Sequence, residues 1–149
     1  MLMDLYFGDY YNDGHGRYHG ITVEIPSEQH LHTAVAQVKE KYPGFFDTFC
    51  HGYEDQSIGP DVEKALLETD YPVEKFAETN DDIIWDQFET LSQLFSSDIW
   101  TDAESGQGVT SINFVADAIV WVLNAFGAKI TIMPKNPSYE FSSGYGMFY

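Results

Sequence analysis

Apolar positions recur along this chain with two different periods, and the switches between them mark out the elements. The plainest helical run is Ser111–Phe126. At about 100° per residue, Ile112, Val115, Ile119, Val122, Leu123 and Phe126 fall on one face, and Phe114, Ala118, Trp121 and Ala125 on a second. Asn113, Asp117 and Asn124 share one narrow polar stripe, so this helix is expected to be largely buried. Ser111 is its expected N-cap and Gly127 its left-handed terminator. The period then drops to two, and Ala128–Met133 reads as a strand stopped by Pro134.

Upstream, residues 2–26 read as a β-hairpin around the turn-forming Asn12-Asp-Gly-His-Gly16. Ile21, Val23 and Ile25 alternate with Thr22 and Glu24, which gives one buried and one wet face. Ser27 then caps a helix to about Tyr42, with Leu31, Ala34, Val35, Val38 and Tyr42 as its stripe and Pro43-Gly44 as its stop. Phe45–Tyr53 fits either a strand or a short helical turn. Pro60 opens a helix carrying Val62, Ala65, Leu66 and Leu67 that closes near Tyr71-Pro72. A short turn or helix follows over Val73–Glu78. A further helix is expected from about Asn80 to Phe95. Its apolar side is Ile84, Phe88, Leu91 and Phe95, and Asp82, Asp86 and Glu89 lie opposite in an i, i+4, i+7 ladder. Asp98–Gly108 reads as a polar loop, and Ser138–Tyr149 as a final edge strand or a docking tail. The expected fold is one α+β domain over 1–149. It has an N-terminal β-hairpin, three to four helices including the largely buried helix 111–126, and a C-terminal strand in a mixed or antiparallel sheet.

Composition agrees with a globular chain. Hydrophobic residues make up 44% and aromatics 16%, which argues against wholesale disorder. The single cysteine, Cys50, has no internal partner for a disulfide, no basic-then-apolar leader opens the sequence, and no apolar run is long enough to span a bilayer. A cytoplasmic setting without membrane contact is the expectation.

Charge changes the picture most. The net charge is −17, and Glu54–Glu104 alone holds fifteen acidic residues against Lys64 and Lys75. Such a field opposes direct binding to nucleic acid and favours encounter with basic partners. A solvated face that keeps the protein soluble is the plain alternative.

Candidate chemistry is sparse. His15 and His19 flank the hairpin turn. His30 and His32, two apart on a helix, point to different sides and cannot readily chelate together. Asp9-Tyr-Tyr-Asn-Asp13-Gly14 departs from a calcium loop at Tyr11 and at Gly20, where the closing Glu belongs. Cys50-His51 would face opposite sides of an extended segment. Gly106-Gln-Gly108 lacks a phosphate-binding lysine, and Asp102 and Glu104 beside it would repel an anion. Asp117 fits a catalytic acid less well than a hydrogen-bonded structural carboxylate. No metal, no cofactor and no enzymatic activity are expected.

The expected function is therefore that of a non-enzymatic acidic inhibitor. Carboxylates on amphipathic helices would mimic the phosphate charge of DNA or RNA and occupy the basic nucleic-acid-binding surface of another protein. An anti-restriction or anti-CRISPR protein of a phage or mobile element is one such case. The expected contacts are Asp81, Asp82, Asp86 and Glu89, extended by Asp61, Glu68, Glu74 and Glu78. Tyr145, Phe148 and Tyr149 are expected to add interface area or to support a homodimer. The alternatives are an immunity protein that neutralises a basic nuclease toxin, and a small metal-dependent enzyme using the histidine-rich hairpin.

Overall fold

The structure, a computed structural model, describes residues 1–8, 18–48, 60–75, 89–96, 112–133 and 145–146. Within them the chain mixes helix and strand. Strands β1 (Leu2–Gly8) and β2 (Tyr18–Glu24) are followed by helices α1 (Glu28–Lys41), α2 (Phe45–Thr48) and α3 (Pro60–Glu68). Then come α4 (Leu91–Phe95), α5 (Ile112–Ala125), β3 (Thr131–Ile132) and β4 (Tyr145–Gly146).

The sheet has the order β3-β2-β1-β4. β1 and β2 form the expected antiparallel hairpin, with Leu5 opposite Ile21 and Met3 opposite Val23. Leu5, Ile21 and Val23 are buried, so the period-two alternation selects the face that meets the helices. β3 adds antiparallel to β2, and β4 lies parallel to β1 as an edge strand. Two hydrogen bonds tie the first strand to the second: the Met1 amino group donates to the Ile25 carbonyl at 2.7 Å, and Thr22 Oγ1 donates to Asp4 at 2.9 Å.

α1 begins where its cap dictates. Ser27 is extended, and its Oγ accepts from the His30 amide at 3.2 Å. The stripe Leu31, Ala34, Val35, Val38 and Tyr42 is buried as its spacing requires, and it packs on α5, whose Ile119, Val122 and Leu123 are also buried. At its C-terminal end α1 meets α5 through Tyr42, whose ring stands edge-on to Phe126 at 6.3 Å. Phe45–Thr48 resolves in favour of the helical turn, and Phe45 and Phe46 are both buried.

Two helix ends use the same device. After α5, Gly127 takes φ +89°, and the Ala128 amide reaches back to the Leu123 carbonyl at 3.1 Å. After α3, Asp70 takes φ +56°, and the Tyr71 amide reaches the Leu66 carbonyl at 3.0 Å. Both are Schellman terminations, one with the expected glycine and one with an aspartate in its place.

Two expectations need correction. The strand expected over Ala128–Met133 is reduced to Thr131–Ile132, because Lys129 adopts φ +56° and bends the chain before it. Asn124 holds that bend: its Nδ2 donates to the Ile130 carbonyl at 2.9 Å and its Oδ1 accepts the Ile130 amide at 2.6 Å. Nor does one helix run through to Phe95. Glu89 and Thr90 form a bend, and α4 starts afresh at Leu91. Thr90 Oγ1 accepts the Gln93 amide at 3.2 Å while Gln93 Oε1 accepts the Glu89 amide at 2.9 Å, a reciprocal cap that fixes a helix start. Glu89 is thus outside any helix, and the ladder expected of it with Asp82 and Asp86 does not extend to it.

Candidate functional site

The segment Thr69–Lys75, between the end of α3 and a helical turn at 73–75, separates two concave regions. Its path is set by Asp70, whose left-handed conformation turns the chain sharply off α3. Three side-chain contacts then bind it to α5. Trp121 Nε1 donates to the Thr69 carbonyl at 3.1 Å, the Tyr71 hydroxyl donates to Asp117 Oδ2, and Lys75 Nζ lies 3.3 Å from Asp117 Oδ1. Lys75 also stands over the Trp121 ring at 5.0 Å, and Tyr71 meets that ring edge-on at 5.4 Å. Asp117 is therefore both hydrogen-bonded and ion-paired, with these partners drawn from a distant segment of the chain.

On one side of this strap lies a cleft of about 370 Å³. Leu66, Leu67, Val73 and Leu91 give it an apolar wall, and Asp70, Glu74 and Glu89 are the acidic groups that line it, with Tyr71 between them. All three acids are exposed, and among the described residues neither Glu74 nor Glu89 forms an ion pair. On the other side, Lys75, Asp117, Trp121, Asn124 and Ile130 contribute to a cavity of about 740 Å³ against α5 and β3. Adjacent residues of the strap thus send opposite charges to opposite sides: Glu74 to the cleft, Lys75 to the cavity.

The expected contact residues divide accordingly. Glu74 and Glu89 come together in the cleft, and Asp70, which sequence reasoning did not select, joins them. Asp61 sits in the first turn of α3, and its Oδ2 accepts the Gly44 amide at 2.6 Å, tying α3 to the α1–α2 turn. Glu68 accepts the Tyr42 hydroxyl at 2.7 Å and lies 4.0 Å from Lys41. Burial first, and then the bond to Glu68 and its charge, push the Tyr42 hydroxyl up to about 12. These two acids thus have partners within the fold. Glu78, Asp81, Asp82, Asp86, Phe148 and Tyr149 lie outside the described residues, as do His15, Cys50 and His51. Tyr145 belongs to β4. His30 Nδ1 lies 2.7 Å from Ser27 Oγ, and His32 is exposed. Among the described residues no group of three His, Cys, Asp or Glu side chains is placed to hold a metal ion. No helix among them is long and apolar enough to cross a membrane.

No protein-family model, curated protein or solved structure matches this chain.

Proposed function

We propose that this protein is a non-enzymatic acidic inhibitor that occupies the basic nucleic-acid-binding surface of another protein, with the Asp70/Glu74/Glu89 cleft as one of its contact points. The observation that carries this reading is the pairing of three exposed carboxylates with an apolar wall in one cleft. A lysine or arginine side chain has the matching shape: an apolar stem for Leu67, Val73 and Leu91, and a charged head for the rim. The net charge of −17 would speed encounter with such a surface and reject free nucleic acid.

The test is competition. A nuclease or other DNA-binding enzyme that the protein captures should be released by duplex DNA and by salt, since both sides compete for the same lysines and arginines. Charge reversal at Glu74 and Glu89 should weaken capture about tenfold or more, and reversal at Asp82, Asp86 and Glu89 should abolish it. Capture that DNA does not disturb, or that survives both reversals in a folded protein, overturns the proposal.

A further inference from the structure

We propose that the cavity between the strap, α5 and β3 is a binding site for a free α-amino acid with an apolar side chain, its two charges set against Lys75 and Asp117. The proposal stands on this cavity and not on the acidic cleft. Its volume of about 740 Å³ falls within the range of about 300–1,000 Å³ usual for small-molecule sites. Such sites combine an apolar wall with a few placed polar groups. Here Val120, Trp121, Ile130 and Ile132 supply the wall. Among the described lining residues the charged groups are a single opposite pair, Lys75 Nζ and Asp117 Oδ1, 3.3 Å apart. Both side chains keep accessible surface, 37% for Lys75 and 14% for Asp117. Lys75 Nζ also stands 5.0 Å from the centroid of the Trp121 ring, so the ion pair and the apolar wall are contiguous.

Charge decides the ligand class. A simple cation or anion matches one member of the pair and meets like charge from the other close by. An α-amino acid carries its ammonium and carboxylate on one carbon, about 3 Å apart by standard bond lengths, which matches the pair in reverse. Its carboxylate accepts from the Lys75 ammonium, its ammonium donates to Asp117, and its side chain covers Trp121 and the two isoleucines. The two oxygens of a carboxylate offer about four acceptor sites, so Asp117 can serve Lys75, the Tyr71 hydroxyl and the ligand together.

The probe is L-phenylalanine, titrated into the full chain and followed by amide chemical shifts. It should bind saturably with a Kd of about 1 mM or tighter, with shifts centred on residues 117–125 and 130–132. Phenethylamine lacks the carboxylate and 3-phenylpropionate lacks the ammonium. Each should bind at least about tenfold more weakly, through loss of one charge-assisted hydrogen bond. These analogues test both charges on the unaltered protein, so the outcome does not depend on a variant that folds. Asp117→Asn and Lys75→Met, in folded protein, should weaken phenylalanine by a similar factor. No saturable binding, shifts centred elsewhere, or an affinity that neither variant changes overturns the proposal. Phenethylamine binding as tightly as phenylalanine also overturns it, since attraction of any cation to a chain of net charge −17 then suffices. Equal binding of 3-phenylpropionate does the same, because the ammonium is then idle.

Discussion

Acidic residues that look alike in the sequence have different surroundings, and substitution should tell them apart. The Asp61 carboxylate accepts a backbone amide at 2.6 Å, and a Cβ added at Gly44 would come within 2.7 Å of the same oxygen. Asp61→Ala should therefore cost about 1–3 kcal/mol, the usual result of orphaning such a donor, whereas Glu74→Gln should stay within about 0.5 kcal/mol. Urea unfolding of the two variants checks this, and equal effects would contradict it. Asp70 holds φ +56°, where glycine meets no Cβ penalty, so Asp70→Gly should stabilise the fold by up to about 1 kcal/mol while removing one cleft charge. A loss of stability in the same assay would count against the Schellman assignment. Tyr42 supplies a pH signature. Its hydroxyl is raised from 10.0 to about 12, so the folded state keeps a proton that the unfolded state releases. The resulting stability is fully present below pH 10 and is lost as pH rises to about 12. Melting temperature should fall less steeply across that window for Tyr42→Phe than for the parent; parallel curves would contradict the shift.

At the scale of elements, legibility followed how local the deciding interaction is. α1 could be read because Ser27, its apolar stripe and Pro43-Gly44 all lie within one stretch of chain, and α5 because Gly127 stands at its end. The start of α4 was also written locally, as Thr90-x-x-Gln93, but the apolar spacing of Leu91 and Phe95 continues the upstream pattern and hid it. Thr90→Ala should lower stability by about 1 kcal/mol if that cap is real, and an unchanged denaturation midpoint would argue against it. Asp70 was not legible as a terminator, because aspartate rarely takes the left-handed conformation that glycine signals. The strap's anchorage was beyond sequence reading altogether: Tyr71 and Asp117 are 46 residues apart, and Thr69 and Trp121 are 52 apart. The short β3 has a local origin, in the two bonds from Asn124 to Ile130 six residues on, which the alternating apolar pattern does not reveal. Asn124→Ala should cost about 1–3 kcal/mol, since Ile130 is buried and its amide would lose its partner.

Across the whole molecule, charge is unevenly distributed along the chain. Fifteen of the acids fall in Glu54–Glu104, and of the two lysines in that stretch Lys75 is drawn to α5 by Asp117. Three of the described acids share a cleft with an apolar wall, a shape that suits the stem and charged head of a lysine or arginine. The measurement that tests this most directly is a pull-down from bacterial lysate with this chain, run at low salt, at high salt, and at low salt with added duplex DNA. The account predicts recovery of a nucleic-acid-binding enzyme at low salt, and its loss under both of the other conditions. Recovery of nothing, or of a partner indifferent to salt and DNA, would contradict it and leave the acidic cleft as solvated surface.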